Sequence, residues 1–191
     1  MGNIKIMLTI SGMTSILRYH IIQIQILLII EEEGIMLPLQ KKELATQAVD
    51  LFKSGLYCSE AILQVFNKEL DLRLNDAALK MATGFGAGLG ASKCCCGSLT
   101  GAVLVLSAVK GRTSAESDVE EIFALTQELH NNFKQKYKAT CCRILTKSVI
   151  WGEPEHHQQC ERFVSGAVEM LVDILERNTK EEVTGETQKV G

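Results

Sequence analysis

Ala102-Val103-Leu104-Val105-Leu106-Ser107-Ala108-Val109-Lys110 is apolar on almost every side, and whether it forms strand or helix decides the fold. Val103, Val105 and Val109 suit a strand, because β-branched side chains fit a pleated surface, and periodicity alone does not separate a buried strand from a buried helix. Length and alanine content favour helix, with Gly111 as its stop. Composition agrees: 46% of the 191 residues are hydrophobic, whereas Phe, Trp and Tyr supply only 5%. Leu, Ile, Val and Ala with few aromatics suit helix-on-helix packing. The expected fold is all-α, a compact bundle of about five to seven helices, in one domain with loose ends.

Working outward, Ser117 with Asp118 and Glu120 opens an amphipathic helix whose apolar face is Ile122, Leu125, Leu129 and Phe133, ending near Tyr137. Thr140-Cys141-Cys142 starts a short helical piece, and Trp151-Gly152-Glu153-Pro154 reads as a turn. A last helix follows from His156 to Arg177, with Cys160, Phe163, Val164, Ala167, Leu171, Ile174 and Leu175 on one face. Residues 178–191 read as a disordered polar tail. On the N-terminal side, helices are expected from Leu39 to Ser54, from Cys58 to Leu70, and from an Asn75 cap through Ala82. Gly84-Phe85-Gly86-Ala87-Gly88-Leu89-Gly90 then forms a glycine-rich interhelical loop.

Residues 1–35 differ from the rest, with Ile and Met dominant and Ile21 to Ile30 nearly all apolar. A membrane anchor there is disfavoured, because Arg18, His20, Gln23 and Gln25 fall within any window of the roughly 20 residues a span requires. Glu31-Glu32-Glu33-Gly34 needs purine-rich codons just before Met36, so this extension reads better as a ribosome-binding site translated into protein, as in a bacterial message. The body, residues 36–177, would then begin at Met36. A net charge of -3 with no basic stripe sets nucleic acid aside.

Seven cysteines are either staples of an exported chain or reactive and ligand thiols in a reducing cytoplasm. No secretory signal with a small-residue cleavage site is evident, and a chain this long buries a core without staples, which favours chemistry and a cytoplasmic setting. Cys58, Cys96, Cys142 and Cys160 each fall at or near an expected helix start, where free amides and the helix dipole stabilise a thiolate. A single buried Cys is as readily a small hydrophobe; four in this setting favour chemistry. Cys94 and Cys141 read as bystanders.

The order and spacing of Cys58-Ser59-Glu60-Ala61, the Gly84–Gly90 loop, Cys96-Gly97-Ser98-Leu99-Thr100-Gly101, Cys142-Arg143-Ile144-Leu145 and Cys160-Glu161-Arg162-Phe163-Val164 resemble the C_GCAxxG_C_C family, regarded as redox-active. The resemblance runs from about Leu44 to Leu175. It departs from the motif in Ser98, where the name has Ala, and in the extra Cys94, Cys95 and Cys141. The resemblance implies redox activity without naming a substrate, and leaves open whether the protein is a catalyst or a carrier.

Two chemistries fit the four cysteines. One is thiol–disulfide exchange with a redox partner protein or small thiol, which needs tertiary pairing because no CxxC is present. The other is a metal held by Cys58, Cys96, Cys142 and Cys160. There an iron-sulfur cluster fits better than zinc, whose sites favour close knuckles, and amides of Gly86, Gly88 and Gly97 would tune the sulfurs. A non-enzymatic metal-binding or structural accessory module is the competing class. An all-apolar helix in a short chain suggests a homodimer.

His156 and His157 could reach Cys160 on a helix, but a histidine pair in a first turn is more often solvated. Glu60 reads as ordinary first-turn capping. Gly86-Ala87-Gly88-Leu89-Gly90-Ala91 satisfies a loose dinucleotide fingerprint but lacks the preceding strand and the following acid.

Overall fold

A computed structural model describes residues 38–187, with side chains from 40 to 179; the extension over 1–35 and residues 188–191 lie outside the described residues. Eight α-helices occur in them: α1 (Pro38–Lys53), α2 (Cys58–Glu69), α3 (Asp76–Lys80), α4 (Gly86–Leu89), α5 (Gly97–Lys110), α6 (Glu120–Tyr137), α7 (Cys142–Leu145) and α8 (Pro154–Thr187), with a 3-10 turn over Thr83–Phe85. The five with 12 or more residues, α1, α2, α5, α6 and α8, build the bundle. No strand is present among the described residues, only an isolated antiparallel bridge between Cys95 and Cys141. The protein is all-α, and the ambiguous valine-rich run is helical.

Helix α5 packs mainly on α2, and also on α6 and α8, while α8 runs along α1. Val105 and Leu106 of α5, Ile62 and Phe66 of α2, Leu129 and Phe133 of α6, and Val164, Val168 and Leu171 of α8 are all buried and make up the core. The α6 face is Ile122, Leu125, Leu129 and Phe133, as the 3.6-residue period requires. Its amides are capped by Asp118, whose Oδ1 accepts from Glu120 N–H at 3.0 Å. Asn75 Oδ1 caps α3 by accepting from Ala78 N–H at 3.0 Å.

Two boundaries differ from expectation. Helix α8 begins at Pro154 rather than His156, since proline at a first helical position loses no bond the helix could make. It also continues past Arg177 to Thr187. Lys180, Glu181 and Glu182 in that extension are good helix formers and no proline intervenes. No helix among the described residues is long and apolar enough to cross a membrane.

Candidate functional site

Helix α2 can reach α5 because of two glycines one turn apart. A Cβ on Gly97 would stand 2.3 Å from the Cys58 sulfur, and one on Gly101 would stand 2.8 Å from Ser59 Cα. Glycine at both positions seats the first turn of α2 on the first turn of α5. Ser59, fully buried, ties the contact down by donating to the Ala82 carbonyl at 2.8 Å. Glu60 accepts from Tyr57 N–H at 2.8 Å and from the Thr83 hydroxyl at 2.6 Å, which is the capping role expected of it.

The loop before α5 completes the site. Ala87, Gly88, Leu89, Gly90 and Ala91 are consecutively left-handed, with φ of 51°, 72°, 56°, 59° and 63°. Each non-glycine residue there costs about 1–2 kcal/mol. The turn is closed by Gly90 N–H on the Gly86 carbonyl at 3.1 Å and Cys94 N–H on the Gly88 carbonyl at 3.2 Å. Gly88 needs its glycine twice over: its φ is positive, and a Cβ would lie 3.0 Å from the Cys142 sulfur. Gly86 lies buried under the Tyr57 ring. The chain then runs extended through Cys95 to meet Thr140–Cys142: Cys96 N–H donates to the Thr140 carbonyl and Cys142 N–H to the Cys94 carbonyl, both at 2.7 Å.

This crossing brings the Cys96 and Cys142 side chains to the wall of one cavity, where the Cys142 thiol donates to the Cys95 carbonyl at 3.9 Å. Cys96 is the N-cap of α5 and is 3% exposed. The thiol of Cys142, with help from the amides of Ser98 and Leu99 and the Ser98 hydroxyl, holds the Cys96 sulfur at a pKa of about 7 against its burial. Cys142 is pushed up, chiefly by Cys96 beside it and then by burial, so of the two it holds its proton. Burial pushes Cys58 to about 12, reinforced by Cys96 and opposed by the amides of Ser59 and Ala87 and the Ser98 hydroxyl. Burial likewise takes Cys160 to about 12.

The four cysteines expected at or near helix starts differ in setting. Cys58, Cys96 and Cys142 do stand at helix starts, but Cys160 lies about two turns inside α8. Only Cys96 gains more from amides and a donor than burial takes away.

All four sulfur residues nevertheless line one cavity of about 250 Å³, walled by Phe52, Tyr57, Trp151 and Phe163. His156 also lines it, and the expectation of a solvated side chain there is corrected: it is 6% exposed, and its ring stacks on Trp151 at 4.1 Å. Gly152 N–H donates to His156 Nδ1 at 3.3 Å, which puts the ring proton on Nε2, 3.6 Å from the Cys160 sulfur. Burial, then His157 and Lys93, hold the His156 pKa below its ordinary value. His157 is exposed, as expected. The sequence signal that could have found His156 is its four-residue spacing from Cys160 together with Trp151 just before the helix.

Ser98 is the other residue that sequence reasoning passed over, noting it only as a departure from a motif. Its Oγ is buried and has no conventional hydrogen-bond partner. It favours the anion at both Cys58 and Cys96.

Among the described residues no group of three or more His, Cys, Asp or Glu side chains is spaced to hold a metal ion. In this arrangement the four cysteines share a cavity without converging as a ligand set. Gly86, Gly88 and Gly97 act by making room for Tyr57, Cys142 and Cys58.

No curated protein and no solved structure matches the chain. Residues 56–174, which carry all of these cysteines and glycines, match the family model described as "Putative redox-active protein (C_GCAxxG_C_C)", and the chain belongs to that family.

Proposed function

We propose that this is a thiol–disulfide redox protein in which Cys96 is the nucleophile and Cys142 its resolving thiol. The observation that carries this reading is the strand crossing that sets both side chains on the wall of one aromatic-lined cavity at the N-terminus of α5, where the Cys142 thiol and α5 amides lower the Cys96 pKa to about 7. A thiolate is the attacking species in disulfide exchange, and one with a pKa near ambient pH combines population with nucleophilicity. A cavity of about 250 Å³ suits the end of a small disulfide or a cysteine side chain of a partner protein.

In the oxidising direction the Cys96 thiolate attacks one sulfur of a disulfide RSSR. A protein–substrate S–S bond forms, the substrate S–S bond breaks, and RS⁻ leaves. The Cys96 anion that held the proton on Cys142 no longer exists, so Cys142 gives that proton to RS⁻. The Cys142 thiolate then attacks Cys96 sulfur, forming the Cys96–Cys142 bond and releasing the second RS⁻, which is protonated from solvent. Two electrons pass from the protein dithiol to the substrate, which departs as two thiols. Run backward, the Cys96–Cys142 disulfide is reduced by two substrate thiols, which leave joined as RSSR.

Of the three connectivities four cysteines allow, this contact supports Cys96–Cys142, leaving Cys58 with Cys160. Those two line the same cavity, and His156 Nε2–H is placed to donate to Cys160. The spacing of the thiols favours exchange over a metal centre.

Trapping tests the proposal. With a small aromatic disulfide, Cys142→Ser is expected to accumulate a stable mixed disulfide on Cys96, and Cys96→Ser to form none on Cys142. A mixed disulfide on Cys142 in Cys96→Ser as abundant as that on Cys96 in Cys142→Ser would refute it.

A further inference from the structure

Three cysteines remain outside that chemistry: Cys94, exposed, and Cys95 and Cys141, both half-buried. Cys95 and Cys141 face each other across the isolated antiparallel bridge. The flanking hydrogen bonds run from Cys96 N–H to the Thr140 carbonyl and from Cys142 N–H to the Cys94 carbonyl. Cys95 and Cys141 exchange no bond themselves and form a non-hydrogen-bonded pair. In such pairs the Cα atoms approach to about 4.5 Å with side chains on the same face. Disulfides span Cα separations of about 4.4–6.8 Å. Burial raises the Cys95 pKa, with Cys96, Cys94 and Cys141 adding to it in that order. The Cys141 thiol is held at the crossing, donating to the Lys93 carbonyl at 3.1 Å.

We infer that Cys95 and Cys141 form a second, outer redox pair: a reversible cross-strand disulfide that clasps the two segments carrying Cys96 and Cys142. Alternation along an extended chain turns residues 95 and 141 to the opposite face from 96 and 142. The outer pair therefore meets solvent while the inner pair meets the cavity. The oxidant is a small-molecule disulfide. One of the two outer thiolates attacks RSSR and releases RS⁻; the other attacks the mixed disulfide, forms the Cys95–Cys141 bond and releases a second RS⁻. Two thiol protons pass to the two leaving groups, and two electrons pass to RSSR. Closing the clasp fixes the strand crossing that positions Cys142 against Cys96, so the state of the outer pair sets the geometry of the inner one.

The test uses the full chain equilibrated with reduced and oxidised glutathione, quenched by alkylation and digested with trypsin. Both pairs link peptide 94–110 to peptide 139–143, so backbone fragmentation between adjacent cysteines must place the bond. A 95–141 linkage is expected in the wild type. It is also expected in the variant carrying both Cys96→Ser and Cys142→Ser, where the inner pair is gone. In that variant the clasp should raise the thermal midpoint, a shift lost in strong reductant. Absence of the 95–141 linkage from both proteins overturns the inference, as does its replacement by a Cys94 linkage or by glutathione adducts alone. A 96–142 linkage found without it leaves the proposed function standing and this inference refuted.

Discussion

A buried hydroxyl without a conventional partner costs about 1–3 kcal/mol, so Ser98 needs a reason to be a serine in α5. The two sulfurs beside it supply one, since the hydroxyl favours the anion at Cys96 and at Cys58. Ser98→Ala restores the residue in the motif's name and removes a donor. It is expected to raise the Cys96 pKa above about 7 and to leave the folded state as stable or more so when Cys96 is protonated. Thiol titration at fixed temperature with a fluorogenic maleimide measures the first effect and urea unfolding at pH 6 the second. An unchanged Cys96 midpoint would remove Ser98 from the site. That Cys58, Cys96, Cys142 and Cys160 share one cavity could be anticipated from their order in the chain. Which sulfur holds the anion could not, because the answer depends on Cys142 donating across the bundle and on two α5 amides, neither encoded in local spacing.

At the level of elements, the site depends on a close helix contact and a strained turn, and the two respond oppositely to the same kind of change. Alanine exceeds glycine in helix propensity by about 1 kcal/mol, yet Gly97→Ala puts a methyl into the Cys58 sulfur. Overpacking dominates, and a net loss of about 1–3 kcal/mol is expected in urea unfolding. Ala91 sits exposed with φ of 63°, so Ala91→Gly is expected to stabilise by about 1 kcal/mol by removing left-handed strain. A stabilised Gly97→Ala or a destabilised Ala91→Gly would contradict the backbone described. The long helices were legible because burial follows their apolar period, as Ile122, Leu125, Leu129 and Phe133 show. The left-handed turn was not, because Ala87, Leu89 and Ala91 disfavour that conformation and accept it only under tertiary constraint. The start of α8 was misplaced because a proline inside Gly152-Glu153-Pro154 reads equally as turn and as first helical residue.

For the whole molecule, the buried thiols couple redox state and pH to stability. The Cys96 pKa falls from 9.0 in the unfolded chain to about 7 in the fold. Its contribution is therefore complete above pH 9 and lost as pH falls through 7. Cys58 and Cys160 rise from 9.0 to about 12; their contribution is complete below pH 9 and lost as pH climbs toward 12. Reduced protein should gain stability on the order of 2 kcal/mol between pH 7 and 9 and lose it above 9. Cys96→Ser should abolish the rise while sparing the fall. Denaturant midpoints in a phosphine reductant across pH 6.5 to 10 check this. The most direct test of the central claim, that α5 and Cys142 hold Cys96 as the thiolate of the cavity, is pulsed alkylation of the reduced wild-type chain across pH, with peptide fragmentation assigning the label. Labelling of Cys96 with a midpoint near 7, while Cys58 and Cys160 stay unlabelled to far higher pH, is the predicted result; a Cys96 midpoint at 9 or above, or Cys58 reacting first, would contradict it.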